Sequence, residues 1–213
     1  MGNLRKAVID TAVITPSGAL SPGPLSASAV AAGASLGLLG GLLVALGHLL
    51  VELPYFIVLI LVMGVIEAKL RRIKTVLDLI AGGFMLFFAY LLVITGIGLY
   101  NGEGIAGGSI ISNPLTAVAT GAILTGANAY FLAWWFTVGK PIIDSARSMG
   151  WRNASIIYIV HYSYDFGWLI LLAAIGGLAG LGGSMILAGL MFVLALVLAY
   201  YGVKIIVNIR KPA

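Results

Sequence analysis

The sequence predicts an all-α polytopic membrane protein of six transmembrane helices, arranged as two inverted three-helix repeats with helices 1 and 4 broken. Three observations carry this reading. Hydrophobic residues make up 61% of the 213 and charged residues 9%, the mean hydropathy is +1.11, and the apolar stretches repeatedly exceed the roughly 20 residues that cross a bilayer. All twelve Lys and Arg fall in four clusters that a six-helix path brings to one side. The chain's only two histidines, His48 and His161, each stand four residues before an acid, Glu52 and Asp165, in long apolar stretches.

Helix 1 is expected over about 6–35, retained rather than cleaved as a signal peptide, because no small-residue cleavage site leads into a soluble domain. Ser21-Pro22-Gly23-Pro24 interrupts it, since each proline removes a backbone donor and crowds the preceding turn. Helix 2 follows over about 37–66 and helix 3 over about 75–100, with the basic residues between them. Thr75 and Asp78 have the spacing of a capping box for helix 3. The stretch 101–112 is a glycine-rich loop, after which Asn113 caps and Pro114 opens helix 4. Helix 4 runs to about 140 and breaks more softly at Thr125-Gly126-Ala127-Asn128. Helix 5 covers about 153–175, 176–183 turns the chain, and helix 6 ends near 203. The whole chain, 1–213, forms one transmembrane domain, with repeat 1 over about 6–100 and repeat 2 over about 113–204.

The basic clusters are Arg5 and Lys6; Lys69, Arg71, Arg72 and Lys74; Lys140, Arg147 and Arg152; and Lys204, Arg210 and Lys211. Six helices place all of them in the cytoplasm with both termini, which accounts for the net charge of +5 without any nucleic-acid partner. With no cysteine, thiol redox chemistry and thiolate metal sites are excluded. No His-Glu-x-x-His, Gly-x-Ser-x-Gly or P-loop motif is present, so an enzyme is not expected, and no cofactor is called for. Gly33 and Gly37 suit close helix packing, inside the subunit or across a homodimer.

A helix puts i and i+4 on one face, so each histidine points the same way as its acid. Ionisable groups in hydrocarbon cost several kcal/mol unless they meet water or a partner, which makes the duplicated pair a candidate transport pathway. Unwound backbone at membrane depth is tolerated where it lines a cavity, so the paired broken helices point to the same place. Trp134 and Trp135 fit either an interfacial belt or an aromatic cavity wall.

The run Ser21-Pro22-Gly23-Pro24-Leu25-Ser26-Ala27-Ser28, followed by Gly37, Gly40, Gly41 and Gly47, resembles the first half of the lysine exporter (LysE) superfamily. The second half is similar too, through Asn128, Trp134, Trp135 and Gly139, then His161, Asp165, Phe166, Gly167 and Trp168. The resemblance implies a six-helix exporter in a prokaryotic plasma membrane, commonly of amino acids and driven by a proton or ion gradient. Leu25 stands where many relatives carry a polar residue, and Ala129 replaces the proline after Asn128, so no particular substrate is implied.

The expected activity is therefore proton-coupled export of an amino acid or other small cationic amine by alternating access. Glu52 and Asp165 would meet the amine, and half-helix N-termini at Ser21, Pro22, Gly23, Pro24 and Asn128 would hold a carboxylate, with Trp134 beside them. His48 and His161, exchanging with Glu52 and Asp165, would carry the protons. The alternative is a divalent metal exporter with His48, Glu52, His161 and Asp165 as ligands, helped by Asn128.

Overall fold

The computed structural model describes residues 4–20, 23–103, 111–179 and 184–209, with 67–71 and 179 described along the backbone only, and every regular element among them is helical. Ser21, Pro22, 104–110 and 180–183 lie outside the described residues, and 176–179, expected as part of a turn, continue the helix before them.

The first helix is interrupted earlier than its prolines at 22 and 24 suggest. α1 (Leu4–Ile14) ends at Thr15, whose N–H still donates to the Thr11 carbonyl at 2.9 Å. The next residue, Pro16, has no N–H to continue the ladder and starts the single turn α2 (Pro16–Ala19). Gly23 is extended and leads into α3 (Pro24–Leu36). Gly37 closes α3 at φ 61°, a left-handed backbone where a side chain would be strained.

α4 (Leu38–Tyr100) is one helical run of 63 residues holding two stretches long and apolar enough to cross a membrane, Leu38–Ile66 and Arg72–Tyr100. A straight helix would separate His48 from Met85 by ~55 Å, yet both line one cavity, so the run bends back between its two spans. The basic connection expected as a loop is therefore helical. With no helix start at Thr75, the expected capping box does not form, and Asp78 pairs with Lys74 one turn earlier.

α5 (Pro114–Gly126) opens as expected: the Asn113 side chain accepts from Thr116 N–H at 3.0 Å while Thr116 Oγ1 accepts from Asn113 N–H at 3.2 Å. α6 (Ala129–Phe136) follows at a 53° bend, and the pair together qualifies as one broken span. Helix 4 of the sequence stops at Phe136 instead of 140, because the amphipathic α7 (Lys140–Met149) turns aside to bury Ile142, Ile143 and Ala146. α8 (Trp151–Ala179) and α9 (Ser184–Asn208) supply two further spans, and α3 is a shorter apolar helix. Leu46, Leu61, Val65, Ile123, Ile186 and Leu196 are exposed on the outside, as lipid contact demands of apolar helices.

Small residues let the helices close around the centre. A Cβ at Gly47 would lie 2.1 Å from the Val118 carbonyl oxygen, and one at Gly121 would lie 2.2 Å from that of Val44, so α4 and α5 cross backbone to backbone. Gly33 packs in the same manner on Ala173 of α8, inside the subunit. Two apolar clusters result, one around Val30, Met85 and Met191, the other around Phe56, Trp135 and Ile157, and Tyr130 packs against both.

Candidate functional site

The four groups separated in sequence come together at this centre. On α4, His48 and Glu52 face His161 and Asp165 of α8, and all four are buried, with exposures of 2%, 1%, 2% and 8%. Contacts run around a ring. Glu52 lies 3.3 Å from His48 Nε2 through Oε2 and 3.2 Å from His161 Nε2 through Oε1. Asp165 lies 3.2 Å from His161 Nε2 and 4.0 Å from His48 Nε2. Imidazole and carboxylate therefore alternate around the ring, and the His161–Glu52 contact is also a hydrogen bond. Tyr158 donates to Glu52 Oε2 at 3.3 Å.

Each histidine is held from behind by a threonine at a helix break. Thr125, in the last turn of α5, contacts His48 Nδ1 at 2.9 Å, and Thr15, at the end of α1, contacts His161 Nδ1 at 2.9 Å. The Thr125 hydroxyl spends its single hydrogen on the Gly121 carbonyl at 2.7 Å, so it accepts from His48, which carries its proton on Nδ1. His48 Nε2 is thereby turned to the acids, although its line to Glu52 is too poor for a hydrogen bond and it has no partner. Asp165 Oδ2 is likewise close to His161 yet without a hydrogen-bond partner. A His161 that donates from Nε2 to Glu52 accepts the Thr15 hydroxyl at Nδ1, the opposite tautomer.

A cavity of about 60 Å³ opens onto the ring and is lined by Gly23, Pro24, Asn128 and Trp134 as well as by the four titratable groups. Of the other residues expected here, Ser21 and Pro22 lie outside the described residues. Asn128 has its side chain committed to its own helix, accepting from Phe131 N–H at 3.1 Å. Trp134 is buried, and its indole N–H donates to Ser17 Oγ at 3.1 Å. Trp135 lies closer to His161, with 4.6 Å between the ring centroids and the planes tilted by 54°. The N-cap of α3 is Gly23, which brings no side-chain cap, whereas Asn128 caps α6 with its own side chain. The sequence reading missed Thr15, Thr125 and Tyr158 as site residues. The signal for the threonines was their place, each directly at the end of an interrupted helix.

A family model of LysE type translocators matches residues 16–209. The chain belongs to the LysE type translocator family. The match takes in both histidine–acid pairs and the bent pair α5–α6, and it leaves α1 and Thr15 outside. It identifies a membrane transporter rather than an enzyme, consistent with the apolar spans. No curated protein and no solved structure matches this translocator.

Proposed function

We propose that this translocator exports an amino acid or related small cationic amine in exchange for protons, using the His48–Glu52–His161–Asp165 ring as a shared site. The single observation that carries the reading is the ring itself: two acids and two histidines fully buried around a small cavity, with His48 Nε2 and Asp165 Oδ2 left without hydrogen bonds. Buried polar atoms without partners are costly, and a substrate ammonium or a proton satisfies them. An ammonium between Glu52 and Asp165 neutralises the acids that protons neutralise in its absence, so the two cargoes compete for one charge. That competition is antiport. The helix dipole at the N-terminus of α3, whose N-cap Gly23 carries no side chain, supports a place for a carboxylate there.

The reading includes an inverted repeat, with the second half entering from the opposite side, and a plasma-membrane orientation with both termini cytoplasmic. The reciprocal threonine contacts support the repeat, since each half's interrupted helix holds the other half's histidine. Alternating access would rock the halves about this centre.

Counterflow in vesicles tests it: preloaded amino acid should exchange across a pH gradient in the native protein, and Glu52→Gln with Asp165→Asn should abolish exchange. Normal exchange by the double variant would refute the proposal.

One observation favours a second reading, divalent metal export. His48, Glu52 and Asp165 can each offer an atom within 4.8 Å of the others, a mixed nitrogen and oxygen set that suits Mn, Ni or Zn. Thermal stabilisation by metals alone, lost in His48→Ala, would select it over the amine.

A further inference from the structure

The cavity at the ring is too small to hold a whole amino acid beyond its charged head, but a second cavity of about 370 Å³ adjoins it. The two share Pro24 and Phe88 as lining. Beyond Phe88 the walls come from α3, the second span of α4, α5 and α9, through residues such as Ala27, Leu92, Leu124 and Met191. Its polar side chains are three hydroxyls, Ser28, Thr95 and Thr120, of which Ser28 donates to the Leu25 carbonyl at 2.7 Å and Thr95 to the Leu91 carbonyl at 2.9 Å inside their own helices. None of its lining residues is charged. A head group held at Glu52 and Asp165 would therefore have uncharged, mostly apolar space ahead of it, past Pro24 and Phe88.

We propose that the second cavity receives the side chain of the transported amine, and that the substrate is accordingly an amino acid with an extended apolar side chain, of norleucine or leucine size, rather than one with a second cationic group. The inference rests on the exporter reading above and adds the part that reading leaves open. A lysine side chain would bring its ammonium into walls with no acid to meet it, at a desolvation cost that a hydrocarbon chain does not incur. Leu25, at the start of α3 beside Pro24, extends the same apolar lining on the ring side.

The test is a linear series, alanine, 2-aminobutyrate, norvaline and norleucine, with lysine and glycine alongside, measured by thermal shift and by counterflow on the intact protein. Each added methylene should tighten binding about fourfold, the equivalent of ~0.8 kcal/mol, until the cavity is filled. Lysine should bind more weakly than norleucine by at least tenfold. Ala27→Phe, which narrows the second cavity, should flatten the series by removing the gain per methylene. A flat series in the native protein, or tighter binding of lysine, overturns the side-chain proposal while leaving an amine exporter in place. A lipid acyl chain that co-purifies with the protein and is not displaced by norleucine overturns it equally. If no amine of any length binds or exchanges, the exporter reading itself has failed.

Discussion

At the residue scale the most informative contact is the one from Thr125 to His48. A hydroxyl with its hydrogen already given to Gly121 can only accept, so it selects the Nδ1–H form and aims Nε2 at the acids. Thr125→Val keeps the volume and removes the acceptor, which leaves a buried N–H unsatisfied and frees the ring to change tautomer at a cost of about 1–3 kcal/mol. Lower thermal stability and slower exchange are expected, with Thr125→Ser restoring both; nitrogen chemical shifts of His48 would reveal the altered tautomer directly. Unchanged exchange and shifts in Thr125→Val would mean the threonine merely fills space. The sequence displayed the four titratable residues because helical spacing puts His48 over Glu52 and His161 over Asp165. It did not display the threonines, whose partners are 77 and 146 residues away and belong to no periodic pattern.

At the scale of elements, proline, glycine and asparagine were the legible signals, because each acts on backbone geometry close to where it stands. Asn113 with Pro114 marked a true helix start, and Asn128 a true restart. The break expected at Ser21–Pro24 is present, with Gly23 extended ahead of α3, and Pro16 adds an earlier interruption that the sequence reading did not use. Thr15 thus becomes the counterpart of Thr125, and α2 is an extra turn that the second half lacks. The crossing of α4 and α5 sets the distance on which the threonine contact depends. Gly121→Ala would drive a methyl to 2.2 Å from the Val44 carbonyl oxygen, and the helices must part, costing about 1–3 kcal/mol. A marked drop in melting temperature with loss of exchange is expected, against no loss for Gly83→Ala, where a Cβ meets nothing within 4 Å. Equal stability of the two variants would show that the close crossing is dispensable.

For the whole molecule, composition was enough to establish class, since a chain with 61% hydrophobic residues cannot hide them in so small a core. The bend that folds the two spans of α4 together was less legible, because helical hydrogen bonding continues through the basic connection and no breaker residue marks it. Orientation is open to a clean measurement. The chain has no cysteine, so single cysteines can be introduced without background, and Ser148→Cys on α7 should react with impermeant reagent only from the cytoplasmic side, while Ser112→Cys at the far end of α5 should react from outside. Labelling of both from one side would contradict the arrangement proposed from the basic residues.

The reciprocal threonine contacts have a consequence for leakage. Thr15 belongs to the helix that starts the chain but holds the histidine of α8, and Thr125 belongs to α5 but holds the histidine of α4. Neither half can shift by even a couple of ångströms without loosening an imidazole in the other, so a lone, uncoupled movement disturbs both histidines at once. Under the proposed exchange, a translocator fastened crosswise in this way would resist slipping with only one cargo on board, and a hybrid spliced from the halves of two relatives should run down the gradient unless its threonines and histidines travel as matched pairs.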